Sequence, residues 1–138
     1  MISFKPVLDE DLILKVSPLV RGVYLLIAWI EKNGPIPLTP SKAFKRVFVD
    51  WAAHRFDWPG HRAEELYRVQ KVLNEADFFP LCMIHDLMLG LKLGRYYKGA
   101  FHLTKRGQAL SGKPAAIFAQ LVPVYVLDFD HAALSRFE

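Results

Sequence analysis

The stretch from Leu87 to Leu110 limits what this chain can fold into more than any other part of it. An apolar run at helical spacing (Leu87, Met88, Leu91) leads out through Gly90 and Gly94. Arg95-Tyr-Tyr-Lys98 and Ala100-Phe-His-Leu103 then read as two short strands about Lys98-Gly99, where glycine supplies the positive φ of a tight hairpin turn. Thr104 follows as a hydroxyl N-cap for a short helix to Leu110. Helix, hairpin and helix must therefore pack within a short length of chain, and the rest has to build a core around them.

Upstream, Ser17-Pro18 joins an N-cap hydroxyl to a proline at the first helical position, where a missing N–H costs nothing. The helix it opens should run to about Lys32, with Asn33-Gly34 as its C-cap. Arg21 is the only charged residue between Val20 and Ile30, so this helix is apolar nearly all round and should be the central one. Leu19, Val23, Leu26, Ile27 and Ile30 are its expected core residues. Ile36-Pro37-Leu38 can only be an edge strand or a bridge, because of its proline. Thr39-Pro40 repeats the cap-then-proline signal and predicts a helix over about 41–55. Phe44, Val47, Phe48 and Trp51 would face inward and Lys42, Lys45 and Arg46 outward, with Asp50 four residues after Arg46.

A third helix is expected over 61–77 on a stripe of Leu66, Val69, Leu73 and Ala76, and a fourth from about Pro80 to Leu91. Residues 1–16, with Val7-Leu8 and Leu12-Ile13-Leu14, read as an N-terminal arm or short helix, and 112–138 as a helical extension opening at Pro114 and ended or kinked by Pro123. Val124 to Phe129 fits strand and helix equally. His131 to Glu138 reads as the first turns of a helix with no stop signal, so the natural chain is expected to continue past Glu138.

With 138 residues the chain is expected to form one domain with a real core. An apolar fraction of 52% and a mean hydropathy of +0.14 are high for such a domain. Either the helices are packed on several sides, or a partner covers an apolar face. The longest apolar run, Val23 to Ile30, falls far short of the ~18 residues that cross a bilayer, and no membrane partner is expected. The N-terminus lacks a secretory layout, and the single cysteine, Cys82, suits a reducing compartment; a cytoplasmic location is expected. The net charge of +4 is mild but uneven. No acid lies between Asp86 and Asp128, whereas Lys92, Arg95, Lys98, Lys105, Arg106 and Lys113 do, which implies a local positive field or a solvated basic face.

The order helix, short strand, helices, then Leu93, Gly94, Arg95, Gly99, Leu103, Thr104, Gly107 and Leu110 at their spacing resembles the winged helix-turn-helix domains of bacterial regulators, over roughly residues 17–111. The resemblance implies a mainly α, winged-helix-like domain with a small β-hairpin or three-stranded sheet, Ile36–Leu38 pairing with the hairpin. Two features depart from the pattern. There is one helix too many before the wing, and the helix in the reading position offers only His85, Asp86 and Lys92 where base edges need Arg, Lys, Asn or Gln.

No catalytic, cofactor or metal signature emerges. His54, His61, His85, His102 and His131 have no metal-ligand spacing, and Cys82 with His85 three residues on sits among Leu, Met and Ile, as a buried structural thiol would. The candidate nucleic-acid contacts are Lys42, Lys45, Arg46, Lys92, Arg95, Lys98, Lys105 and Arg106, with Tyr96 and Tyr97 between them as stacking surfaces. The function expected is non-catalytic, low-specificity association with nucleic acid through this basic wing. The alternative is a protein-interaction or oligomerisation module using exposed apolar surface; an enzyme completed by a further domain is a third reading.

Overall fold

The computed structural model describes residues 10–121. In chain order they form α1 (Glu10–Val16), α2 (Pro18–Asn33), β1 (Ile36–Pro37), α3 (Arg46–Arg55), α4 (Ala63–Val69), a 3-10 turn (Glu75–Asp77), α5 (Phe79–Gly90), β2 (Gly94–Tyr97), β3 (Ala100–Leu103) and α6 (Lys105–Ala109). Residues 114–121 are helical again. The fold is mainly α with a small three-stranded antiparallel sheet, as expected, in the order β1-β3-β2. The expectations for Val7-Leu8, Pro123, Val124–Phe129 and His131–Glu138 lie outside the described residues.

The helix α2 occupies the centre, for the reasons its sequence suggests. The Ser17 side chain accepts the Val20 N–H at 3.2 Å, and the Gly34 N–H, at φ +91°, donates to the Ile30 carbonyl at 2.7 Å. All five expected core residues are buried. Gly22 lies where α2 meets α5 and the end of α3: a Cβ there would stand 2.5 Å from Ile84 Cδ1 and 3.3 Å from the Phe56 ring. A glycine in mid-helix costs up to ~1 kcal/mol in propensity, and here it allows the close approach.

Arg21, the one charged residue in the apolar stretch of α2 between Val20 and Ile30, closes two helix ends. Its Nε donates to the Phe56 carbonyl at 2.7 Å and Nη2 to that of Asp57 at 2.6 Å; Nη1 reaches the carbonyls of Leu14 at 2.6 Å and Lys15 at 3.2 Å. These carbonyls lie at or just beyond the C-terminal ends of α1 and α3, where intrahelical donors run out and the negative end of the helix dipole favours a cation. Through this guanidinium and buried Ile13, α1 is fastened to the core.

Two expected helices are shorter than the sequence suggests. The helix α3 starts at Arg46 rather than near residue 41. Thr39 Oγ1 accepts the Ala43 N–H at 3.1 Å, while the Lys42 N–H donates to the Thr39 carbonyl at 2.9 Å with Lys42 at φ +71°. The hydroxyl thus closes a turn instead of opening a helix. Phe44 then forms an isolated bridge with Leu38, and the Lys45 N–H goes to the Pro37 carbonyl. In consequence Val47 is 66% exposed and not a core residue, whereas Phe44 and Phe48 are buried. The expected helix over 61–77 stops at Val69, where Gln70 is extended. Leu66 and Leu73 are buried as expected, but Val69 is 80% exposed and Ala76 faces solvent; the break turns Glu75 inward instead.

The hairpin forms as the sequence predicts, with Lys98 at φ +48° and Gly99 at φ +74° in its turn. Tyr96 stands opposite Phe101 on the core-facing side, and Arg95 opposite His102 on the other. A Cβ at Gly94 would fall on the Phe101 ring, so this glycine makes room for an aromatic. Thr104 Oγ1 accepts the Gly107 N–H at 3.2 Å and its hydroxyl donates to the Lys92 carbonyl at 2.7 Å, which joins the base of the hairpin to α6.

Replacing Arg21 by alanine leaves both helix ends without their donor, and is expected to cost about 3 kcal/mol. Arg21→Lys should recover only part, because an ammonium lacks the planar fork that spans both ends. Urea unfolding followed by far-UV circular dichroism measures both, and an unchanged midpoint for Arg21→Ala would contradict the assignment.

Candidate functional site

The 3-10 turn sends the Glu75 side chain into the core, where the residue is only 8% exposed. Its Oε1 accepts the Phe44 N–H at 2.7 Å, and His85 Nδ1 lies 2.9 and 3.0 Å from its two oxygens. The other ring nitrogen, Nε2, is 2.9 Å from the Tyr96 hydroxyl. With Nδ1–H given to the carboxylate, Nε2 is left to pair with the Tyr96 hydroxyl, so every polar atom of the row has a partner. The Phe44 ring stacks on the imidazole at 4.0 Å and 12°, and Phe101 meets it edge-on at 5.4 Å.

Carboxylate, imidazole and hydroxyl in line is the order of an acid–base relay. The terminal group is nonetheless poorly suited to attack. Burial, followed by the negative charges of Glu75 and Asp86, pushes the Tyr96 phenol up, the reverse of what activates a nucleophile. Cys82 does not pair with His85 either: its thiol donates to the Glu75 backbone carbonyl at 3.2 Å. Burial and then the charge of Glu75 push that thiol up to about 11. The geometry makes the row a clamp between the 39–44 turn, the 3-10 turn, α5 and β2.

Neither Glu75 nor the burial of His85 was legible from residue spacing. The apolar stripe assigned to 61–77 placed Ala76, not Glu75, inward, and only the break after Val69 reverses that. Of the remaining histidines, His54 Nδ1 is 2.8 Å from the Asp50 carbonyl and 3.6 Å from its carboxylate. His61 Nδ1 is buried without a partner beside Phe78, and His102 sits against Tyr97. Among the described residues no group of His, Cys, Asp or Glu is arranged to hold a metal; His131 lies outside them.

The candidate basic residues fall into three places. Arg95 and Lys98 lie over the ring of Tyr97, at 5.4 and 5.3 Å from its centroid, and Lys42 lies 5.8 Å over that of Tyr96. The turn at Thr39–Phe44 thus carries Lys42 to the hairpin. Lys92 and Lys105 flank the Thr104 junction at the hairpin's base, and Arg106 is turned to Gln120 at 3.3 Å. Lys45 and Arg46 border a separate open groove of ≈ 640 Å³ between residues 39–47 and 74–76. Arg46 Nε donates to Asn74 Oδ1 there at 2.9 Å, not to Asp50, whose carboxylate instead accepts the Tyr67 hydroxyl.

Glu75→Ala strips the Phe44 N–H and His85 of their acceptor and is expected to lower stability by about 3 kcal/mol, whereas Glu75→Gln keeps one acceptor and should cost less. Thermal unfolding monitored by circular dichroism distinguishes them. Folding favours the protonated form of Cys82, so its contribution is fully present below the unfolded thiol's range near 9 and is lost as pH rises toward about 11. At about pH 8 Cys82 should react with iodoacetamide roughly a hundredfold more slowly in the folded chain than in urea. Equal rates would mean that the thiol is not held in this way.

The chain is similar to a protein of Sinorhizobium fredii described as the uncharacterized protein y4jL, with 42% identity over 120 residues. The match takes in 87% of this chain and 54% of that protein, so the chain spans about half the length of the curated relative it matches. No solved structure matches it. Among the described residues no helix is long and apolar enough to cross a membrane. The family model described as the Y4jL N-terminal domain matches residues 15–116, which contain the Glu75–His85–Tyr96 row, the groove and all eight candidate basic residues. The chain belongs to the Y4jL N-terminal domain family.

Proposed function

We propose that this domain is a non-catalytic, winged-helix-like cytoplasmic module that associates with nucleic acid at low sequence specificity, through β2, β3 and the Lys98-Gly99 turn. The observation that carries this reading is Tyr97, 47% exposed, with the Arg95 guanidinium and the Lys98 ammonium both over its ring. A base or sugar stacked on that ring would bring its flanking phosphates within reach of the same two cations. Lys42 beside Tyr96 extends the positive surface as far as Asp86, whose charge is felt at Tyr96, and the sequence from residue 87 to 127 adds no further acid. The strand order β1-β3-β2, with a short strand after α2 pairing to a C-terminal hairpin, is consistent with the winged-helix resemblance.

The low specificity follows from α5. Its His85 is buried and committed to Glu75 and Tyr96, and its exposed Asp86 repels phosphate. Contacts confined to the backbone and to stacking carry little sequence information.

The test is fluorescence anisotropy with labelled single-stranded and duplex oligonucleotides across a salt series. Binding should weaken steeply with salt, and Arg95→Glu with Lys98→Glu should abolish it. Tyr97→Ala should cost about 1–3 kcal/mol on single strands. Arg106→Glu should matter less, since its side chain is turned to Gln120. No retention of DNA or RNA at low salt would remove the proposal.

A further inference from the structure

The groove bordered by Lys45 and Arg46 is not part of the hairpin surface and calls for its own explanation. Its walls are the Thr39–Val47 segment and Asn74–Ala76, and its lining is largely apolar: Pro40, Ala43, Phe44, Val47 and Ala76. Val47 occupies the first turn of α3, where a solvated helix would carry a polar residue, and is 66% exposed. At ≈ 640 Å³ the groove lies within the range of about 300–1,000 Å³ typical of ligand sites, and can take several side chains.

Among its lining residues the outward charge has one sign, and Asp77, next to the lining, is held on the Asn74 N–H. Glu75 lines the groove, but its carboxylate is turned inward and taken up by the Phe44 N–H and His85. Lys45 and Arg46 are exposed, and among the described residues neither is ion-paired; the side-chain partner of Arg46 is the neutral Asn74. The helix α3 begins at Arg46, with Lys45 in the N-cap position and no side-chain cap, which adds its positive end to the same border. We propose that this groove is a docking site for an acidic, apolar peptide segment of a protein partner, with carboxylates toward Lys45 and Arg46 and a large apolar side chain against Pro40, Ala43 and Val47.

A peptide fits these walls better than a nucleic acid does. The one aromatic in the lining, Phe44, is buried and already stacked on His85, so no ring is offered to a base. A phosphate backbone gains nothing from the apolar floor, whereas an aliphatic or aromatic side chain does. The inference goes beyond the nucleic-acid reading and does not depend on it.

The experiment is selection of a displayed random peptide library on the full chain, followed by titration of the enriched peptides into the isotope-labelled protein. Enriched peptides should combine Asp or Glu with a large apolar residue, and amide shifts should concentrate at 39–47 and 74–76. Lys45→Glu with Arg46→Glu should weaken binding roughly tenfold or more, with Val47→Asp acting in the same direction. Lys98→Glu, in the hairpin, should leave peptide binding unchanged while weakening nucleic-acid retention, so failure of one reading is separable from failure of the other. No enrichment, enrichment of neutral or basic peptides, or a footprint elsewhere would overturn the proposal. So would an oligonucleotide that shifts the 43–47 and 74–76 amides in place of those in the hairpin and at Lys42.

Discussion

A buried carboxylate is tolerable only if its oxygens are fully engaged, and Glu75 meets that condition through partners far from it in sequence. Its acceptance of the Phe44 N–H holds the turn that precedes α3, and its bond to His85 sets the rotation of α5. His85 in turn reaches Tyr96 and so fixes where the hairpin lies on the helices. Apolar burial supplies most of the driving force but has little directional preference. This row is the directional element, and the positions of Lys42, the groove and Tyr97 all follow from it.

Arg21 complements it as a cation within the apolar stretch of α2 from Val20 to Ile30. One polar anchor gathers the C-terminal ends of α1 and α3, and the other gathers the 39–44 turn, α5 and β2. Between them lie the fully buried rings of Phe48, Phe56, Phe78 and Phe101, and Phe44 meets Phe48 and Phe101 edge-on at 5.1 and 5.3 Å. Edge-to-face packing of this kind is itself geometrically selective.

The parts of the fold that can be read in the sequence are those whose signals are satisfied within a few residues. Ser17-Pro18 with Gly34 delimits α2, Lys98-Gly99 turns the hairpin, and Thr104 caps α6. Thr39-Pro40 carries the same kind of signal as Ser17-Pro18 and behaves differently. Its hydroxyl bonds four residues on, and the next N–H groups are diverted, one back to Pro37 and the other to Glu75, a partner that no local window contains. Val69 fails as a core residue because its helix ends beneath it. With that end goes the register that would have kept Glu75 outside, which is why the polar row is invisible to periodicity. The eight basic residues were identifiable as such, but their division between hairpin, hairpin base and groove depends on where Glu75 and His85 place the Thr39–Phe44 turn.

The sheet order has a consequence for how this domain can meet another molecule. Among the described residues the central strand, β3, is paired on both sides and the outer side of β1 is met by the Leu38–Phe44 bridge and the Lys45 N–H on the Pro37 carbonyl, which leaves β2 as the free edge. The edge at β1 is two residues long and includes Pro37, which has no N–H to offer. The edge at β2 is short and carries Arg95, with Lys98 at the turn beside it, and like-charged ends discourage alignment with a copy of themselves. Among the described residues, β1 is thus closed to an added strand and the β2 edge resists pairing with its own copy. A segment that met β2 would have to satisfy Arg95 and Lys98 as well as the backbone, so residue identity and not backbone geometry alone determines what is accepted there.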